Sequence, residues 1–136
     1  MNIKECTLED VEMLALLNKQ LIEDEKSNNP MNIKELEERM KSFLLSEYNA
    51  YFFIIGQEIV GYALVRMNCS PLYLRQFLIE RSYRKQHYGK QAFHALLEYL
   101  NIKNIDIEVL TWNEAGQSFW KNCGFKEISK YMRYEE

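Results

Sequence analysis

The sequence has few of the residues that form covalent cross-links or metal sites. Its 136 residues include three cysteines and two histidines. Cys6, Cys69 and Cys123 lie far apart, with no Cys-x-x-Cys spacing. This excludes a disulfide-rich scaffold and disfavours a zinc site, which needs several thiol or imidazole ligands close together. We therefore expect no bound metal, reduced thiols and a cytoplasmic protein.

Long apolar runs and an excess of positive charge are also missing. No apolar stretch approaches the ~20 residues that a membrane-spanning helix needs, and no signal peptide is apparent after Met1. The net charge is −3, which disfavours general binding to nucleic acids. We therefore expect neither a membrane nor a nucleic acid among the partners.

The composition is that of a globular domain. Hydrophobic residues make up 47% of the chain and charged residues 27%, and this length is sufficient for one hydrophobic core. No repeat, low-complexity tract or linker interrupts it. We predict a single domain over residues 1–136.

Apolar periodicity and capping signals predict the element order β-α-α-β-β-β-α-β-α-β. Thr7 with Asp10, and Asn32 with Glu35, are typical of the first residues of helices. Gly124 is typical of the position after a helix. The predicted strands are 2–6, 51–55, 59–67, 72–79, 105–110 and 125–134, and the predicted helices run from about 8 to 26, from Asn32 through Leu44, from 88 to 100 and from 113 to 122.

A basic segment lies at the turn between the strand 72–79 and the helix that follows it. Arg81, Arg84, Lys85 and Lys90 fall within ten residues that contain no acid. The free N–H groups and the dipole of a helix N-terminus attract anions, and a phosphate would also neutralise these side chains. A solvated basic helix start is the alternative interpretation.

Two motifs resemble those of the GNAT superfamily of N-acetyltransferases. The family's acetyl-CoA loop, Arg/Gln-x-x-Gly-x-Gly/Ala after a strand, corresponds to residues 84–89. Its C-terminal motif, Asn-x-x-Ala-x-x-x-Tyr-x-x-x-Gly-Phe, corresponds to residues 113–125. The resemblance covers almost the whole chain. It implies an α/β (α+β) fold with a mixed, mostly antiparallel, splayed sheet of six to seven strands flanked by about four helices.

Three positions depart from the family pattern. His87 stands where the loop has its first glycine, although histidine tolerates a positive φ better than most residues. Gly116 replaces an alanine. Trp120 replaces the tyrosine that often protonates the leaving thiolate, and an indole cannot supply that proton. Tyr73, Tyr83 and Tyr88 are nearby in sequence, but none is favoured as a substitute.

The resemblance implies where acetyl-CoA binds. The loop would hold the pyrophosphate, and the end of the strand 72–79 would hydrogen-bond the pantetheine as if it were an added strand. Trp120 would pack on the pantetheine or wall the acetyl pocket, with a core position as an equal alternative. The implied cofactor-binding residues are Phe77, Leu78, Ile79, Arg84, Lys85, Gln86, His87, Tyr88, Gly89, Lys90, Asn113, Phe119 and Trp120.

The resemblance also implies two catalytic positions. A main-chain N–H near Leu78 would stabilise the oxyanion formed from the thioester. Glu108 matches a glutamate that some relatives use as a base, and a solvent-exposed glutamate on a strand is the alternative. Many relatives carry an acid in mid-strand where this chain has Arg75, so that second source of a base is absent.

The acceptor is predicted from charge alone. Glu23, Asp24 and Glu25 end the first helix, where acids oppose the dipole and suit a cationic small-molecule or peptide amine. A solvated charge run is the alternative.

The resulting prediction is an acetyl-CoA-dependent N-acetyltransferase that acts by direct attack of the amine in a ternary complex. The alternative is a catalytically degenerate acetyl-CoA-binding module or regulator. The oligomeric state stays open, with a homodimer as one option.

Overall fold

The computed structural model describes all residues, 1–136, as a mixed sheet with helices on both faces. The strands are β1 (Asn2–Glu5), β2 (Tyr48–Ile55), β3 (Glu58–Arg66), β4 (Leu72–Ile79) and β5 (Ile105–Asp106). The helices are α1 (Val11–Asp24), α2 (Ile33–Leu44), α3 (Tyr88–Leu100) and α4 (Glu114–Asn122), with 3₁₀ turns at Leu8–Asp10 and Arg81–Tyr83. The sheet order is β1-β2-β3-β4-β5, and only the β4–β5 pair is parallel.

Local signals explain several helix boundaries. Asn32 accepts from the Glu35 main chain through Oδ1 at 2.9 Å, and Glu35 Oε1 accepts from the Asn32 N–H at 3.0 Å. This reciprocal pair satisfies two donors that a helix start leaves free. The predicted capping box of α2 is therefore confirmed. Before α1, Asp10 Oδ2 accepts from the Thr7 N–H and Thr7 Oγ1 accepts from the Glu9 N–H. Gly124 follows α4 with a φ of +104°.

Two apolar layers cover the two faces of the sheet. On one face, α1 and α2 pack onto alternate residues of the central strands, including Tyr62, Leu64 and Leu78. On the other face, α3 packs onto Val60, Ala63 and Val65 among others. The central strands are therefore buried on both sides, which explains their almost continuous apolar sequence.

Gly61 allows β3 and β4 to approach each other closely. A Cβ atom at this position would lie 2.1 Å from the carbonyl oxygen of Leu78, a distance that only glycine avoids. The side chain of Leu78 is 3% exposed and packs on the α1–α2 side. The position of the β4 main chain near Leu78 therefore depends on the absence of a side chain at Gly61.

The predicted fold class is confirmed, but the predicted number of strands is wrong: the sheet has five strands, not six to seven. The predicted strand 105–110 pairs only at Ile105 and Asp106, because the chain then leaves the edge of β4. The predicted strand 125–134 pairs with nothing. Its β-forming composition is a preference of the residues, and a strand also needs a neighbouring edge to bond to.

None of the helices combines the length and the apolar character that crossing a bilayer requires.

Candidate active site

The sheet opens between its two parallel strands. The β4–β5 pairing consists of two residue pairs, Leu72 with Ile105 and Tyr73 with Asp106. From Leu74 onward, the β4 edge that faces β5 has no strand beside it. Apart from the Ile79 carbonyl oxygen, which accepts from Arg84 Nε, the main-chain groups that face outward on this edge are free to bond an extended ligand, as they would bond another strand. Phe77, Leu78 and Ile79 lie along this open edge.

The loop after β4 presents a row of main-chain donors. The N–H groups of residues 85–90 donate to no acceptor in the protein. They lead into the N-terminus of α3 at Tyr88, where the helix dipole adds positive potential. Lys85 and Lys90 are exposed and make no ion pair. Successive free donors with two unpaired lysines form an arrangement suited to a pyrophosphate.

Two residues of this loop adopt the left-handed conformation. His87 has φ +65° and Lys85 has φ +62°. A positive φ is one reason why the family motif has glycine at the position of His87. The structure therefore explains why histidine is tolerated there, since the left-handed region disfavours most side chains but histidine less than others.

The conformation of His87 gives a testable prediction. We expect His87→Ala to be less stable than His87→Gly by about 1 kcal/mol, because alanine carries the left-handed cost that glycine avoids. Urea unfolding of both variants measures the difference. Acetyl-CoA affinity should follow the same order, because the free N–H groups depend on this loop shape. Equal stability of the two variants would show that the left-handed conformation is not required.

Gly89 positions α3 against α4. A Cβ atom at Gly89 would lie 2.9 Å from a ring carbon of Phe119. The Phe119 ring stacks on Phe77 with centroids 6.0 Å apart, and Trp120 meets Phe77 edge to face at 5.0 Å. These aromatic rings lie beneath the open edge of β4. Trp120 thus belongs to an aromatic core cluster and also lines the cleft described below.

The start of α4 explains the departure at Gly116. Asn113 Oδ1 accepts from the Gly116 N–H at 3.0 Å and caps the helix. A Cβ atom at Gly116 would lie 2.4 Å from the Asn113 side-chain nitrogen. In this chain a residue larger than glycine would require the Asn113 side chain to shift, so the glycine fits the present position of Asn113.

The acidic end of α1 pairs with the basic turn. Asp24 accepts from Arg81 at 2.8 Å and also pairs with Arg84, while Glu23 accepts from Arg81 at 3.1 Å. Burial alone would raise the pKa of Asp24, but hydrogen bonds from Arg84 and Arg81 outweigh it and lower that pKa. Arg84 also donates to the carbonyl oxygen of Ile79 at 2.9 Å. Two of the predicted site residues, Asp24 and Arg84, thus pair directly, and Glu23 is linked to them through Arg81.

Glu25 differs from its two neighbours because it makes no ion pair. Its carbonyl oxygen accepts from the Trp112 indole at 3.2 Å. Burial, and then the charge of Asp24, raises the pKa of the Glu25 carboxyl. Its side chain lines a small cleft at the open end of the sheet, where it faces residues of β4 and the segment after β5.

The cleft brings Glu25 and Glu108 together with Arg75 and Trp120. Glu108 lies two residues after the end of β5 and beside Tyr73 of β4. Burial, and then the charge of Glu108, raises the pKa of Tyr73 to about 12. The Tyr73 phenol therefore stays protonated near neutral pH. The cleft combines two carboxylates and a cation beside the unpaired β4 edge, with the Tyr73 phenol next to Glu108, which suits the binding and deprotonation of an amine.

Sequence reasoning missed part of this cleft. From the sequence, Arg75 was significant only because many relatives carry an acid at that position, and no role was favoured for Tyr73. A register shift in the β3–β4 pairing leaves Arg75 without a partner on β3, and bulges often redirect side chains next to active sites. No local sequence signal marks that bulge. Another surface depression, of about 370 Å³, lies between the start of α1 and α2 and contains none of the predicted residues.

The model of the Acetyltransferase (GNAT) family matches residues 14–125 of the chain. None of the curated protein sequences matches it. Among solved structures, a possible acetyltransferase from Clostridium difficile 630 is similar at 14% identity, with a TM-score of 0.81, and the match covers 99% of this chain and 96% of that one.

Two similar structures contain ligands. The acetyltransferase AAC(6')-Iy, in complex with the bisubstrate analogue CoA-S-monomethyl-acetylneamine, is 16% identical with a TM-score of 0.75, and the match covers 99% of this chain and 97% of that one. An aminoglycoside acetyltransferase from an uncultured soil metagenomic sample, in complex with sisomicin, is 13% identical with a TM-score of 0.73, over 99% and 95% of the two chains.

Proposed function

Since the chain belongs to the acetyltransferase (GNAT) family, we propose that it transfers the acetyl group of acetyl-CoA to a primary amine. One observation carries the proposal: the free N–H groups of residues 85–90 lie at the end of the strand whose outer edge is unpaired. A pyrophosphate on the loop would leave the pantetheine arm along that edge. The CoA-containing complex of a similar fold supports this interpretation.

The other predicted cofactor contacts follow from the same arrangement. The side chains of Lys85 and Lys90, and more distantly that of Arg84, add positive charge near the phosphates. The main chain of residues 85–90 supplies the N–H donors. Phe77 and Ile79, whose main-chain groups face the open edge, bond the pantetheine, and Leu78 lies between them with its carbonyl oxygen toward Gly61 of β3. Phe119 and Trp120 form the apolar floor, and Asn113 fixes the start of α4 that carries them.

The proposed reaction is direct attack within a ternary complex. Glu108 accepts one proton from the ammonium and passes it to solvent, and the neutral nitrogen attacks the thioester carbon. The carbonyl oxygen becomes an oxyanion, which the main-chain N–H near Leu78 stabilises. The C–S bond then breaks as the nitrogen loses its second proton. The products are the N-acetyl amine, CoA and one released proton.

The leaving thiolate needs little help. A thiol of pKa ~8.5 is a tolerable leaving group near neutral pH. Tyr73, with a pKa of about 12, is a weaker acid than that thiol. The thiolate can leave before it is protonated, so we assign its proton to solvent. This removes the need for a tyrosine where the chain has Trp120.

We assign the cationic end of the acceptor to Glu25 and Glu108. Of the three acids that end α1, Glu23 and Asp24 are engaged with arginines, which leaves Glu25 as the carboxyl that lines the cleft. An ammonium group between two carboxylates is attracted in its charged form. Glu23 and Asp24 then act indirectly, through the loop that they hold.

We further propose a homodimer formed through the C-terminal segment. Residues 125–134 have strand-forming composition but no partner, and Ile128, Tyr131, Met132 and Tyr134 are at least 85% exposed. The segment 107–110 is equally unpaired. Pairing of these two segments between copies would bury both. Light scattering should give about twice the 16.3 kDa mass of one chain. The double variant Ile128→Asp with Met132→Asp should instead have the mass of one chain. A monomeric wild-type protein would contradict the proposal.

The three cysteines are unpaired, which supports the proposal that the protein works in the reducing cytoplasm.

Two measurements on the same sample test the function. Calorimetry measures acetyl-CoA binding, and a thiol assay measures CoA release across a panel of amines. Binding with amine-dependent release supports the acetyltransferase. Binding without release for any amine would instead support the degenerate cofactor-binding module, which Trp120 at the tyrosine position favours.

A further inference from the structure

Two arginines lie on the face of the sheet that α1 and α2 cover, which we call the acceptor side. Neither has a carboxylate partner. The ion pairs of the structure all belong to Arg81 and Arg84. Arg39 of α2 and Arg75 of β4 instead lie around one aromatic ring. Their guanidinium carbons are 5.5 Å and 5.0 Å from the ring centroid of Phe43. Two cations that share one ring repel each other, and this arrangement becomes favourable when an anion is added.

Arg39 is held in place but remains incompletely bonded. One terminal nitrogen donates to Asn18 Oδ1 at 2.9 Å, whereas its Nε atom is buried with no acceptor. Burial, and then the charge of Arg75, lowers the pKa of Arg39. Buried polar atoms normally have partners, so an unpartnered guanidinium N–H is unusual and requires an explanation.

Arg75 links this pair to the cleft. It lies at the β-bulge of β4, and one of its nitrogens approaches the Tyr48 hydroxyl at 3.4 Å. The same side chain lines the cleft that holds Glu25 and Glu108. The acceptor side therefore carries separate positive and negative groups: the arginines toward α2 and the carboxylates toward the open β4 edge.

We propose that Arg39 and Arg75 bind a carboxylate of the acceptor, while its amine lies between Glu25 and Glu108. The acceptor is then an amino-acid-like molecule that carries a carboxylate as well as the reacting amine. This inference rests on the proposed acetyltransferase function. The planar guanidinium groups suit a carboxylate, which they can bond in parallel pairs.

The same arrangement disfavours purely polycationic acceptors. Such a molecule would place positive groups against Arg39 and Arg75 with no anion to compensate for the repulsion. The sisomicin complex of a similar fold therefore does not describe the acceptor of this chain. Selectivity comes from repulsion of the wrong class as well as attraction of the right one.

Paired acceptors test the proposal. Lysine is compared with cadaverine, its carboxylate-free counterpart, and β-alanine with ethylamine; phosphoethanolamine and sisomicin complete the set. We expect the carboxylate-bearing member of each pair to have the higher kcat/KM. In Arg75→Gln this preference should fall by about 10- to 100-fold, mostly through KM, since one charge-assisted bond is lost before the transition state. Arg75→Lys should retain part of it.

Controls separate this inference from the function itself. Arg66→Gln makes the same chemical change at an exposed arginine that bonds only Asn68, and it should leave the preference intact. Acetyl-CoA affinity should be unchanged in Arg75→Gln. Amine-dependent CoA release without a carboxylate preference, or a stronger preference for phosphoethanolamine or sisomicin, would overturn this inference alone. No release with any acceptor would contradict the acetyltransferase function as well.

Discussion

Replacing Glu108 with glutamine is expected to lower kcat by about 10²- to 10⁴-fold, the usual contribution of a positioned base. The amine must lose a proton before it attacks, and glutamine cannot accept one. The acidic limb of the pH–rate profile, which reports deprotonation of the base, should disappear. Acetyl-CoA affinity should not change, because Glu108 lies in the cleft and outside the loop 84–90 that is proposed to bind the pyrophosphate. Initial rates from pH 5 to 9, together with calorimetry, measure both effects.

Glu25→Gln is the matched control, since it removes the other carboxylate of the cleft by the same chemical change. Burial raises the pKa of Glu25, so its charged form is lost at a higher pH than for an ordinary glutamate. We expect Glu25→Gln to raise KM for the amine while the acidic limb remains. If the limb instead disappears in Glu25→Gln and persists in Glu108→Gln, the base is Glu25.

Reversing the charge of both loop lysines is expected to weaken acetyl-CoA binding by about 10²-fold or more, since each change replaces attraction to the phosphates with repulsion. Lys85 and Lys90 are exposed and unpaired, so Lys85→Glu with Lys90→Glu should leave the folded structure intact. The affinity of the wild type should also fall as salt is raised, because exposed charges are screened. Calorimetry at two salt concentrations tests both statements.

Lys34→Glu with Lys103→Glu provides the control. Both lysines are exposed; Lys34 lies near the start of α2, and Lys103 follows the far end of α3. This variant makes the same change in net charge away from the loop. It should bind acetyl-CoA almost as tightly as the wild type. Equal losses in the two double variants would attribute binding to overall charge and not to the loop.

Local signals in the sequence predicted much of the fold. The bounds of β4 and α3 are those expected from the switch in apolar period, and the capping residues Asn32 and Glu35 bond as expected. These features depend on neighbours within a few residues along the chain. Strand pairing depends on distant segments. The sequence therefore could not reveal that 107–110 leaves β4 or that 125–134 meets no edge.

The candidate site likewise has one part that the sequence predicted and one part that it did not. The loop proposed to bind the pyrophosphate is a continuous segment, and its free N–H groups and the left-handed His87 lie within the motif. The pairing of Asp24 with Arg84 joins residues sixty positions apart in the chain. The shared contact of Arg39 and Arg75 with Phe43 likewise joins α2 to β4. Charge runs in a sequence do not show which charges neutralise one another, so the acceptor side required the structure.

The most direct test of the proposed function is a balance of acetyl groups by mass spectrometry. The protein is incubated with acetyl-CoA and the best amine from the panel, and CoA and N-acetyl amine are counted together over time. We predict that the two products form in equal amounts, only when the amine is present, and at least 10²-fold more slowly in Glu108→Gln. Tight binding of acetyl-CoA with no N-acetyl product from any amine would contradict the account.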